Sequence, residues 1–101
     1  MQVIKYPASV TLIKSKDMIY FSQLDIFHVL EKALRRSGLP LYYTRGFNPH
    51  PKISLLSGLK LGQKGEIKGV FYFSERISAD KFYAKIIPQL PSGLEIVNIR
   101  I

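Results

Sequence analysis

The stretch SQLDIFHVLEKALRRSG, residues 22–38, limits the folds open to this chain. Ser22 followed three residues on by Asp25 is a capping-box start for a helix. Gly38 suits the left-handed C-terminal cap, and Pro40 stops any continuation. The spacing predicts a helix over residues 23–37. Ile26, Phe27, Leu30, Ala33, Leu34 and Ser37 fall on one side at 3.6-residue spacing. Asp25, His28, Glu31, Lys32, Arg35 and Arg36 fall on the other, with Glu31 placed to pair with Arg35 at i,i+4. A helix with one apolar face must bury it against another layer.

The flanking segments supply that layer. Residues 8–14, ASVTLIK, are β-branched and apolar and read as a strand. KSKD then turns the chain, and MIYF at 18–21 reads as extended. In residues 52–62 Ile53, Leu55, Leu59 and Leu61 recur with a period of two, with Gly58 as a possible bulge. Gln63, Lys64 and Gly65 form a turn into a strong strand over residues 66–74, EIKGVFYFS. Ser78 opens a second helix with an apolar stripe of Ala79, Phe82, Tyr83, Ile86, Ile87 and Leu90; Pro88 lies at its end. LEIVNIRI closes the chain as a strand. The order β-α-β-β-α-β predicts an α+β, ferredoxin-like single domain over residues 1–101. Four antiparallel strands would carry two helices on one face and leave the other open.

With no cysteine among 101 residues, a disulfide framework, a zinc–thiolate site and a self-contained iron–sulfur cluster are excluded. Two histidines without a carboxylate cluster argue against a catalytic metal, and no cofactor is expected. The N-terminus lacks the pattern of a secretory signal, and no apolar run approaches a bilayer-spanning length. A cytoplasmic location is the expectation.

The formal charge is +8, which favours anionic partners, nucleic acid above all. Each half of the chain carries +4, seven cations against three acids and then eight against four. The bias lies in the centre. Between Glu31 and Glu66 there is no acid, while Lys32, Arg35, Arg36, Arg45, Lys52, Lys60 and Lys64 all fall there. Lys68-Gly69-Val70-Phe71-Tyr72-Phe73 on the third strand partly follows the aromatic motif of RNA-recognition domains. It matches at Lys68, Gly69 and Tyr72 and fails at Val70 and Phe71. If Phe71 and Phe73 face the helices, Lys68, Val70 and Tyr72 line the open face, where Tyr72 would stack on a base.

Residues 43–54, YTRGFNPHPKIS, form the most distinctive segment. Each proline restrains its own φ and extends the residue before it, here Asn48 and His50. In an extended run Asn48, His50 and Lys52 share one side, Gly46 allows a bend and Phe47 would pin the loop to the core. Such a ridge presents an amide, an imidazole and an ammonium beside Arg45, already ordered for binding. Histidine titrates near neutrality, so His50 is also the one weak catalytic candidate, as a general base for metal-free RNA cleavage with Arg45 or Lys52 stabilising the phosphorane.

These residues carry a family resemblance. Ser22-Gln23-Leu24-Asp25, Arg35-Arg36-Ser37-Gly38-Leu39-Pro40, the whole of residues 43–54, and Gly58-Leu59-Lys60-Leu61-Gly62 with Glu66 resemble the N-terminal part of the radical-SAM-linked protein family, a domain of unknown function. The similarity covers about residues 10 to 94. Its members usually extend further and carry a histidine where this chain has Gln23. The resemblance implies an accessory role in RNA modification or processing beside a radical S-adenosylmethionine protein, which would supply any radical chemistry. The expectation is a domain that binds structured RNA (tRNA or rRNA), with no membrane association. Lys32, Arg35, Arg36, Arg45, Asn48, His50, Lys52, Lys68 and Tyr72 would form the contact surface. A protein-docking module for a radical SAM enzyme and a metal-independent ribonuclease are the alternatives.

Overall fold

The computed structural model describes residues 4–57 and 65–101. The chain runs β1 (Tyr6–Lys14), a 3-10 turn (Lys16–Tyr20), α1 (Gln23–Ser37), β2 (Ile53–Ser57), β3 (Gly65–Phe73), α2 (Ala79–Ile86), a second 3-10 turn (Ile87–Gln89) and β4 (Leu94–Arg100). The sheet order is β2-β3-β1-β4, and every neighbouring pair is antiparallel. β3 separates the two strands of the β1-α1-β2 unit, and β1 separates those of β3-α2-β4. This is the split βαβ arrangement expected from the element order.

Alternation along β1 and β3 sorts the two faces. Ala8, Val10 and Leu12 of β1 and Ile67, Phe71 and Phe73 of β3 are buried against Ile26, Leu30 and Leu34 of α1 and Phe82 and Ile86 of α2. Phe82 packs on both Phe71 and Phe73, with ring centroids 5.9 Å apart in each pair; contacts of this kind favour tilted and edge-on rings. The intervening residues, Ser9, Thr11 and Ile13 on β1 and Glu66, Lys68, Val70 and Tyr72 on β3, occupy the open face.

α1 starts and stops at the residues its sequence marks. The Ser22 hydroxyl accepts from the Asp25 N–H and the Asp25 carboxylate accepts from the Ser22 N–H, both at 3.1 Å. The Ser22 backbone N–H above all, and then its side chain, hold the Asp25 carboxyl below the usual carboxylate range. Gly38 closes the helix at φ +77°.

Two local expectations change. The segment expected to stay extended after β1 is a 3-10 turn that carries Met18 into the core and leaves Tyr20 exposed. A strand could not continue there, because the chain must leave the sheet for the helix layer. α2 ends at Ile86, before the stripe reaches Ile87 and Leu90. Pro88 cannot donate to a helical bond, so the last residues tighten into 3-10 geometry and Ile87 is exposed. Within the described part of β2, the register shift falls between Leu55 and Ser57; Gly58, Leu59, Leu61 and the turn at Gln63 and Lys64 lie outside the described residues. Lys14 ends β1 on the core side and is buried, its Nζ donating to the Phe21 carbonyl at 3.3 Å.

Gly93 lets the start of β4 close on the first 3-10 turn. Its φ is +97°, and a Cβ there would lie 2.6 Å from the Ser15 carbonyl oxygen and 2.8 Å from Met18 Cγ. At Gly38 a Cβ would meet nothing within 4 Å. Gly38→Ala is therefore expected to cost about 1 kcal/mol of backbone strain, and Gly93→Ala roughly 3 kcal/mol because the clash adds to it. Denaturant unfolding of both variants checks this; equal losses would contradict the close packing at Gly93.

Candidate functional site

The segment between α1 and β2 is knitted to the end of β3 and then to itself. Ser74 N–H donates to the Pro40 carbonyl at 2.8 Å and Tyr42 N–H to Tyr72 at 3.1 Å. Lys52 N–H donates to Tyr42 at 2.8 Å, and Tyr72 N–H to Lys52 at 3.2 Å. Tyr43 bridges Pro51, whose ring is buried. Thr44 N–H donates to the His50 carbonyl at 2.8 Å, and His50 N–H returns to Thr44 Oγ1 at 3.1 Å. Only residues 45–49 project beyond this closed neck, bending at Gly46 with φ +119°.

α1 holds the loop from the side. Arg35 Nη2 donates to the Pro49 carbonyl at 3.3 Å, and its guanidinium carbon lies 5.9 Å from the centre of the Tyr43 ring. One turn earlier, Glu31 points inward instead of pairing with Arg35. Its side chain is 8% exposed, against 56% for His28 and 53% for His50, so the carboxylate is the shielded member of a three-residue cluster. His28 Nδ1 is hydrogen-bonded to Glu31 Oε1 at 3.2 Å. His50 Nδ1 lies 3.0 Å from Oε2, within ion-pair reach. No hydrogen bond forms there, and the buried Oε2 has no hydrogen-bond donor among the described residues. A cavity of about 260 Å³ opens here, lined by Phe27, His28, Glu31, Thr44, His50 and Lys52 among others.

The nine expected contact residues fall into three places. Lys32 and Arg36 border a groove between α1 and the second 3-10 turn. Arg36 is already engaged there, with Nε on Gln89 Oε1 at 3.2 Å and Nη2 on the Gln89 carbonyl at 3.3 Å. Arg35, Arg45, Asn48 and His50 belong to the loop and its helical support. Lys52, Lys68 and Tyr72 belong to the sheet. The common ridge of Asn48, His50 and Lys52 gives way to separate attachments: His50 meets Glu31, while Lys52 Nζ lies 5.6 Å from the centre of the Tyr72 ring. Phe47 does not pin the loop, because its side chain is fully exposed at the tip.

On the open face Lys5 Nζ approaches the same Tyr72 ring at 5.1 Å. A shallow cavity of about 300 Å³ beside it is lined by Ser9, Thr11, Leu56, Lys68, Asn98 and Arg100 among others. Cross-strand register gives the face a polarity. Ile13 sits between Glu66 and Glu95, Thr11 between Lys68 and Asn98, and Ser9 between Val70 and Arg100. The acids lie at one end and the cations with Tyr72 toward the other. Sequence reasoning missed Lys5, Tyr43 and the inward turn of Glu31. Only the place of Glu31 near the apolar edge of the α1 wheel hinted at its burial.

Residues 8–101 match a family described as an uncharacterized protein conserved in bacteria (DUF2344). The chain belongs to this family. No curated protein and no solved structure matches it. Among the described residues no group of histidine, aspartate and glutamate side chains is arranged to hold a metal ion, and no helix is long and apolar enough to cross a membrane.

Glu31→Leu would remove the carboxylate under the loop while keeping the helix face apolar. Amide exchange at Thr44 and His50 is then expected to rise roughly tenfold, about 1.4 kcal/mol of lost local protection. Unchanged protection would show that the loop does not depend on Glu31.

Proposed function

We propose that this domain is a basic accessory module that binds structured RNA, tRNA or rRNA, in the cytoplasm beside a radical SAM partner. The observation that carries the reading is Tyr72, a half-buried ring on the open sheet face with the Lys5 and Lys52 ammonium groups 5.1 and 5.6 Å from its centre. Aromatic rings that stack on bases, set among cations that hold the phosphates, are the common means of gripping unpaired nucleotides. Lys68 and Arg100 extend the positive charge across the adjoining cavity. At the loop, Tyr43 with Arg35 repeats the pairing of ring and cation, and Arg45, Asn48 and Phe47 project beyond it. The radical SAM partner rests on the motifs of residues 22–25, 35–40 and 43–54.

One feature favours a second reading, docking on a protein. Phe47, fully exposed on a loop held at its neck, has the character of an anchor for an apolar pocket.

Binding of total tRNA, followed by fluorescence anisotropy across a salt series, tests the first reading. Affinity should fall steeply with salt. Lys68→Ala should reduce the log–log slope by about one, and Tyr72→Ala should cost about 1–3 kcal/mol. Absent or salt-insensitive binding would overturn it. A partner protein that co-purifies despite ribonuclease treatment, and is lost in Phe47→Ala, would establish docking instead.

A further inference from the structure

The loop and α1 bring together two imidazoles that the RNA-binding reading does not use as a pair. We propose that His28, Glu31 and His50 form a general acid–base site that cleaves the RNA backbone by transfer to the ribose 2′-hydroxyl; this rests on RNA being the ligand. Three features point to it. First, both rings turn Nδ1 toward one carboxylate, at 3.2 and 3.0 Å. At His28 the carboxylate hydrogen bond on Nδ1 fixes the tautomer and orientation and leaves Nε2 to exchange protons, the arrangement that makes histidine an effective base or acid; at His50 the same carboxylate stands at ion-pair distance. Second, the carboxylate is shielded while both imidazoles are about half exposed, so the acid is held from below and the proton carriers face the ligand. Third, Oε2 is buried without a hydrogen-bond donor among the described residues, although His50 Nδ1 stands 3.0 Å away. An Nδ1–H···Oε2 bond completed there would strengthen as His50 becomes an imidazolium; catalytic hydrogen bonds are often misaligned before substrate binds.

These features assign the roles. His50 Nε2 removes the proton of a ribose 2′-hydroxyl, and the buried Oε2 stabilises the imidazolium formed. The 2′-oxygen attacks the adjacent phosphorus, and the bond from phosphorus to the 5′-oxygen breaks. His28, starting as an imidazolium on Glu31 Oε1, delivers its proton to that 5′-oxygen. The products are a 2′,3′-cyclic phosphate and a 5′-hydroxyl. His50 has gained one proton and His28 has lost one, and exchange with water restores both. Lys52 lines the same cavity, while its Nζ lies 5.6 Å from the centre of the Tyr72 ring. Glu31 touches no substrate; it is a positioning residue.

The test incubates the whole chain with a single-stranded RNA oligonucleotide and with the DNA oligonucleotide of the same sequence, in the presence of EDTA, while tRNA binding is measured in parallel. The RNA should be cut to fragments ending in 2′,3′-cyclic phosphate, and the DNA should stay intact. His50→Ala and His28→Ala should each slow cleavage at least about a hundredfold, with circular dichroism unchanged. Glu31→Gln should lower kcat by a similar factor, leave KM in place and shift the pH profile of cleavage. RNA bound with a steep salt dependence but left uncut would overturn the acid–base assignment and leave the RNA-binding reading standing; RNA neither bound nor cut would overturn both. Cleavage undiminished in the identically purified double variant of His28 and His50 would also overturn the assignment.

Discussion

Much of the local order around the loop traces to the burial of one carboxylate. Glu31 is the only acid buried among the described residues, and taking a carboxylate out of water is costly unless it is paired. The pairing comes from two directions, His28 three residues away on the same helix and His50 from the loop. Arg35, one turn further on, holds the Pro49 carbonyl. One stripe of α1 therefore sets where the loop lies. The Thr44 N–H bond to the His50 carbonyl and the His50 N–H bond to Thr44 Oγ1 close its neck, and the five residues beyond it project as a unit.

That arrangement joins two surfaces that the topology would otherwise keep apart. The split βαβ order puts both helices on one face of the sheet and leaves the other open. The loop begins at the end of α1 and returns through Lys52, whose backbone bonds to Tyr42 and Tyr72 and whose ammonium reaches the Tyr72 ring. On the proposed reading, a ligand across the open face would run from Arg100 and Lys68, past Tyr72 and Lys52, to the loop. Glu66 and Glu95 lie at the opposite end of the sheet, so the proposed polyanion would favour the cationic end.

The parts of this structure that could be read from the sequence are those decided locally. α1 spans residues 23–37 because Ser22, Asp25 and Gly38 determine its ends within a few residues. The faces of β3 follow from strict alternation, which correctly places Tyr72 opposite Phe71 and Phe73. The site was less legible because its contacts are long-range. Nothing within one turn of Glu31 indicates that its main partner outside the helix lies nineteen positions downstream at His50. Phe47 misled because an aromatic residue in a polar loop suggests an anchor, whereas the neck bonds already fix the loop and leave the ring free. Lys14 shows the converse: strand alternation assigns it to the core, charge argues against that, and the Phe21 carbonyl lets alternation prevail.

The central claim is that the loop held by α1 and the cationic half of the open sheet face form one RNA-binding surface. Backbone amide shifts recorded by NMR during titration with tRNA test it most directly. The account predicts that Arg45 to Asn48, Lys52, Lys68, Tyr72 and Arg100 shift together over the same range of tRNA concentration. Shifts confined to α2 and its following turn, or no shifts at all, would contradict it.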